Sequence, residues 1–187
     1  MAVHMGRHDK VGFYSLETSP AKLTNRIIAN RAIVDFGRIN RREMTQEEWE
    51  RVVRLKGEIM ESDVELIPAS GWSVQDILST ALQRRHKIIF IDYLQQLTGR
   101  GKDRFEQVTR ISLDLHAMAQ THGILVVALS QLNRASTARP DAAPTLTDLR
   151  ESGQIEQDAD AVLALYINEE ENAPPNERCL QVLKNKE

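Results

Sequence analysis

The 187-residue chain contains one cysteine, Cys179, so no intrachain disulfide can form, a usage that fits a reducing cytosol. It has no apolar run approaching the roughly 20 residues that cross a bilayer, and its amino end lacks the apolar stretch of a signal peptide. A soluble, cytoplasmic chain with no membrane partner is therefore expected. Aromatics make up only 5%, so stacking on nucleic-acid bases is not expected to be a main contact. A net charge of -3 excludes a uniform electrostatic coat for nucleic acid but leaves room for a local basic patch. The five histidines, His4, His8, His86, His116 and His122, have no cysteine-backed ligand cluster. His4 and His8 stand one helical turn apart without a third ligand, so they read as helix surface and no structural metal is expected. Finally, G-x-x-x-x-G-K-[ST] occurs nowhere in the chain. That motif is the one whose glycine-spaced amides and lysine wrap a triphosphate.

What is present is a near-regular alternation of strand and helix. The length suits one domain, residues 1–187, since chains of this size bury roughly 70% of the surface exposed when unfolded. MAVHMGRHDK reads as the end of a helix, and KVGFYSLE as a strand ending in Glu17. Ser19 and Pro20 open a helix to about Ala32, and Arg38 to Arg42 read as a polar, basic connection. Thr45 with Glu48 forms a capping box for a helix to about Glu61. VELIP is a short strand, and Ser73 with Asp76 starts a helix to about Arg85. IIFID is followed by a helix that Asp103 caps, with Phe105, Val108, Ile111, Leu115 and Met118 on its buried face, ending near Gly123. ILVVALSQ, AVLALYI and RCLQVLK complete the strands. Strands apolar on both faces that alternate with helices predict a parallel sheet covered by helices, with the ligand crevice beyond the strands' carboxyl ends. At that edge the sequence delivers Glu17, Asp92, Ser130 with Gln131, and Lys184 with Lys186.

Each of these residues has a chemical reading and a plainer one. Asp92, ending a buried strand, can hold the magnesium that bridges the phosphates of ATP, or it can cap the turn after the strand. Glu17 can polarise an attacking water, or it is a solvated strand end. Gln131 can sense a terminal phosphate by hydrogen bonding, or it is a turn residue. The run DLRESGQIEQDAD mixes acids, Arg150 and Gly153 between two apolar segments. Glycine there lets backbone amides approach phosphates, while the plainer reading is a solvated connector. Arg134, Arg139 and Arg150 can supply the positive charge that single-stranded DNA requires.

Taken in order, SLE, IIFIDYLQ, ALSQLNR and DLRESGQIEQDAD resemble the RecA-like motor domain of DnaB-type replicative helicases over nearly the whole chain. The resemblance implies an α/β, three-layer RecA-like sandwich with a mostly parallel sheet and helices on both faces. It also implies a domain that starts just after the phosphate-binding loop and lacks that loop's strand, which lies inside the sheet in such folds. Two strands would then face each other with unpaired backbone groups. Carried over by position, Glu17 is similar to the glutamate that activates water, Asp92 to the Walker B magnesium residue, and Gln131 to the sensor that couples the γ-phosphate to the DNA loops. Residues 132–144 and 148–154 correspond to channel loops, and Arg150, Glu151 and Gly153 to the stretch that grips the DNA backbone. Lys184 and Lys186 stand where the family has a Lys-x-Arg whose arginine enters the neighbouring subunit's ATP site. The implied assembly is a hexameric ring on single-stranded DNA, using ATP and Mg2+ and meeting a primase and a helicase loader. The other reading is a non-catalytic RecA-like module that binds DNA or oligomerises.

Overall fold

The computed structural model describes residues 1–132, 143–149, 153–167 and 177–186. Four strands form a wholly parallel sheet in the order β2-β1-β3-β4: β1 is Val11–Ser15, β2 Val64–Pro68, β3 Ile88–Asp92 and β4 Leu125–Ala128. Register runs Val11↔Val64, Val11↔Ile88 and Ile88↔Leu125, so the strands start level. Alternation along each strand then sorts its side chains to two faces. Tyr14, Ile89 and Ile91 enter the main core beneath α5 (Val74–Arg84) and α6 (Arg104–His122), where Ile77, Ala81, Val108, Ile111, Leu115 and Met118 are buried. Val11, Ile88 and Phe90 face the other side, against Ala2 and Met5 of α1 (Ala2–Met5).

The helices begin where side-chain caps dictate. Ser19 accepts from the Lys22 amide ahead of α2 (Pro20–Ala32), and full capping boxes close at Thr45/Glu48 for α4 (Gln46–Met60) and Ser73/Asp76 for α5. Asp103 caps α6, which ends at Gly123 with φ 62°, a left-handed position that suits glycine. Two readings are corrected here. The expected connection at Arg38–Arg42 is mostly helix: α3 spans Phe36–Arg41, capped by Asp35 on the Arg38 amide, and buries Ile39 in a small core with Ala32 and Val34. Phe105, placed on the buried face of α6 by its spacing, is instead exposed, because it lies in the first turn beyond the sheet's cover.

The remaining strands, β5 (Ala161–Ile167) and β6 (Arg178–Asn185), pair antiparallel with each other in a separate two-stranded sheet. Among the described residues β4 therefore pairs on one side only, and so does β5. β4, the most strand-like run in the sequence, is not buried on both faces as its apolarity predicts: Leu125 is 49% exposed. Leu163, Leu165, Ile167, Leu180 and Val182 of the hairpin are exposed as well. Unpaired apolar edges of this kind favour association over a stable monomer. The 187-residue chain is expected to melt broadly below about 45 °C, or to associate as concentration rises. Circular dichroism with sedimentation checks this, and a sharp monomeric transition above about 65 °C would contradict it.

Near the amino ends of the strands, Glu65 of β2 gathers Lys10 at 2.9 Å and Arg84 at 2.6 Å, with His86 Nε2 at 3.5 Å. His86 is buried, and its Nδ1 lies 3.0 Å from the Tyr14 hydroxyl. A Cβ at position 12 would collide with the His86 ring, so Gly12 is what admits it. The Arg84 and Lys10 partners hold the Glu65 carboxyl down at about 2, against a smaller opposing effect of burial. Burial pushes the His86 imidazole down from its ordinary value. A depressed value in the folded state means stability that is present above the unfolded value and lost as pH falls, so both groups favour folding near neutrality. Glu65 adds an acid limb from 4.5 down through about 2. Glu65→Gln is expected to cost about 1–2 kcal/mol at pH 7 and to flatten that limb, read from melting temperature against pH.

Candidate functional site

Parallel pairing sets the carboxyl ends of β1, β3 and β4 in one row. Ser15, the last residue of β1, stands in register with Asp92, the last of β3, and the Leu16 amide donates to the Asp92 carbonyl at 2.9 Å. The buried Ser15 hydroxyl then folds the turn, donating to the Thr18 carbonyl at 2.7 Å and accepting from the Thr18 amide at 3.2 Å. That turn presents Glu17 to solvent two residues beyond Ser15, the partner in register of the half-buried Asp92. Burial raises the Asp92 carboxyl above its ordinary value, the positive charge of Arg26 works against this, and the charge of Glu17 adds to it. The charge of Glu17 thus reaches Asp92.

The third member follows β4. Beyond the strand the ladder continues: the Leu129 amide donates to Ile91 and the Leu94 amide to Leu129, both at 2.9 Å. Ser130 and exposed Gln131 come next, so Gln131 stands one strand over from Asp92. Leu132 forms an antiparallel bridge with Leu149. Leu132, next to Gln131, and Leu149, next to Asp148, are therefore neighbours. Asp148 is buried and fixed by Thr145, whose amide donates to Asp148 Oδ2 at 2.7 Å.

Lys184 and Lys186 do not join this row. Among the described residues β6 pairs with β5 and not with the parallel sheet, so parallel register does not bring its end level with the others. Both lysines instead clasp the carboxyl end of α7 (Gly153–Asp158): Lys184 donates to the carbonyls of Glu156 and Gln157, and Lys186 to Gln157 at 3.0 Å. A helix end with unsatisfied carbonyls attracts such cations. Asp158 in turn accepts from Ser112 of α6 at 2.7 Å and from Gln154 at 2.7 Å. Gly153 is the exposed first residue of α7, whereas Arg134, Arg139, Arg150 and Glu151 lie outside the described residues.

Sequence reasoning missed Arg26, in the middle of α2. Its charge reaches Asp92, and it lines an open depression between α2 and α3 with Asn30, Asp35 and Phe36. It also missed Gln95. The helical spacing on α2 could have signalled Arg26; Gln95 sits in a non-repeating turn and had no such signal.

The residues present fit a magnesium ion. Mg2+ keeps several waters and takes one or two carboxylates plus phosphate oxygens, so it does not need a protein cage. Asp92 would supply one such carboxylate, and the charge of Glu17 reaches it. Among the described residues no group of three or more His, Cys, Asp or Glu could hold a metal. The shell would be completed by water and substrate oxygens. Among the same residues no helix is long and apolar enough to cross a membrane.

The sequence model of the family described as DnaB-like helicase C terminal domain matches residues 1–187. The chain belongs to that family. Among curated DnaB-type relatives, the replicative DNA helicase DnaB of Rickettsia typhi is 37% identical over 165 residues, 85% of this chain and 33% of its own length. A probable plasmid replicative DNA helicase of Chlamydia trachomatis is 35% identical over 180 residues, 92% of this chain and 40% of its own. This chain thus spans between a third and two-fifths of those DnaB-type relatives. Of solved structures, a DnaB-like replicative helicase described with its interactions with primase superposes at TM-score 0.91 and 34% identity, covering 99% of this chain and 48% of that one. A second solved structure, described as an ATPase domain, superposes at 0.90 and 34% identity, covering 99% and 70%. The RecA-like sandwich with a parallel sheet flanked by helices is therefore the fold of this DnaB-type C-terminal domain.

Proposed function

We propose that this domain is the part of a replicative DNA helicase motor that hydrolyses ATP and converts it into 5′ to 3′ movement along single-stranded DNA. The observation that supports the proposal is the register between Ser15 and Asp92, which brings the strand end just before Glu17 level with Asp92, while Gln131 follows the next strand. Glu17, exposed on its turn, accepts a proton from the attacking water. Asp92 orients the metal's water or binds the ion directly. When bound, magnesium neutralises charge on the terminal phosphates. Gln131 turns its carboxamide toward the terminal phosphate and carries its position, through the Leu132–Leu149 bridge, into the segment that holds Gly153. Arg134, Arg139, Arg150, Glu151 and Gly153 are the DNA-backbone contacts in this reading.

Lys184 and Lys186 act in trans, at a neighbouring subunit's site in a hexameric ring. Lysine lacks arginine's planar fork, so its contribution there is that of a point charge. A primase and a helicase loader are the further partners, and the cytoplasm is the compartment. The test is displacement of a strand from a forked duplex by the full gene product. ATP-dependent unwinding that requires a 5′ single-stranded arm supports the motor. DNA binding without hydrolysis by that full gene product would point to the other reading, a non-catalytic RecA-like module.

A further inference from the structure

The turn after β3 holds a side chain that the assignments above leave unused. Gln95 lies in the 3-10 turn Leu94–Gln96 and is only 6% exposed, so its amide must find partners inside the protein. It finds them on the neighbouring strand end. Its Nε2 donates to Ser130 Oγ at 2.8 Å, and its Oε1 accepts from the Gln131 backbone amide at 3.3 Å. Its own carbonyl accepts from the Arg104 guanidinium, which ties the turn to the start of α6. The backbone ladder between the ends of β3 and β4 has its last rung at Leu94–Leu129. Past that rung a side chain takes over the pairing.

The chemistry of the carboxamide suits this role. It offers donor and acceptor at once, so one side chain can hold a hydroxyl and a backbone amide together. A methionine of the same reach holds neither, and a glutamate can only accept. The span is short: Asp92, three residues before Gln95, is the magnesium carboxylate of the proposed site, and Gln131 is its sensor.

We propose that Gln95 is a positioning residue that fixes where Gln131 stands relative to Asp92. The inference rests on reading Gln131 as the phosphate sensor and Asp92 as the magnesium carboxylate. Through Gln95, a shift of the Asp92 turn moves the sensor, and the sensor's bridge at Leu132–Leu149 carries the shift onward.

The test uses nuclear magnetic resonance on the 187-residue chain, with Mn2+ as the metal probe. In Gln95→Met the Gln131 amide is expected to exchange with solvent about tenfold faster, while amides of β1 and β3 keep their rates. Gln95→Glu, which still accepts, is expected to keep most of the protection. Ser130→Ala removes only a partly exposed hydroxyl and is expected to raise Gln131 exchange by a smaller factor, which keeps the test available should Gln95→Met not fold. Mn2+ is expected to broaden the Tyr93 amide in every variant, and to relax the Gln131 side-chain amide less in Gln95→Met than in the parent chain. Unchanged Gln131 exchange and relaxation in Gln95→Met, or unchanged exchange in Ser130→Ala if that variant must stand in, overturns the inference. Faster Gln131 exchange without any Mn2+ broadening at Tyr93 upholds the anchoring by Gln95 and counts instead against the magnesium reading of Asp92.

Discussion

Glu17→Gln is expected to lower the rate of ATP hydrolysis by about a hundredfold to ten-thousandfold, the range that a positioned general base contributes. The measurement needs a phosphate-binding loop, which the 187 residues lack, so residues 1–187 are grafted in place of the matching stretch of the solved ATPase domain that superposes at TM-score 0.90. Glu17 is exposed on its turn, and a base that acts on the water places the loss in kcat with little change in KM. Asp92→Asn is expected to differ. Asp92 is half-buried, and burial already disfavours its charge, so the carboxylate gains most from a cation beside it. Amide in place of carboxylate weakens the ion and the triphosphate together, and the magnesium concentration for half-maximal rate rises. Two substitutions on adjacent strand ends would thus separate by kinetic parameter, and equal effects on KM from both would contradict the division of labour.

The second large effect is an absence of binding. By calorimetry the 187-residue chain is expected to bind Mg-ATP no tighter than about 1 mM, the ~4 kcal/mol of a weak encounter. Most of a triphosphate's hold comes from successive backbone amides and a lysine around its β- and γ-phosphates, and G-x-x-x-x-G-K-[ST] is missing from the sequence. In the proposed site Asp92 and Glu17 would contact the nucleotide mainly through the metal and the water, and without a cradle their charges would face the triphosphate's negative charge. Micromolar affinity would mean that a different part of this chain holds the phosphates. In the graft, micromolar affinity is the expected value.

Much of this architecture was legible because it rests on local chemistry. Ser73/Asp76 and Thr45/Glu48 are short-range devices, and each closes as the residues predict. The level ends of β1, β3 and β4 follow from parallel pairing alone, since strands that start level deliver their ends level. Where partners come from far along the chain, the sequence was silent. Nothing near Glu65 announces that Lys10 and Arg84 converge on it, or that Gly12 makes room for His86. Lys184 and Lys186 were expected at the same edge because they end a strand. Their strand belongs to a separate antiparallel pair, and periodicity carries no information about which sheet a strand joins. β4 misled for a related reason: its apolarity reports what the strand tolerates, while burial depends on a neighbour beyond its outer edge. The many basic and polar residues of α3 suggest a connection, yet Asp35 and Ile39 suffice to start and seat a short helix.

The central claim is that Asp92 and Glu17 share one magnesium-triphosphate edge with Gln131. Anomalous diffraction from crystals of the graft, grown with Mn2+ and a non-hydrolysable ATP analogue, tests it in one experiment. The account places the manganese peak against the Asp92 carboxylate, with the terminal phosphate between Glu17 and the Gln131 carboxamide. A metal peak and triphosphate ordered elsewhere on the domain, with the Asp92 edge holding only solvent, would contradict it.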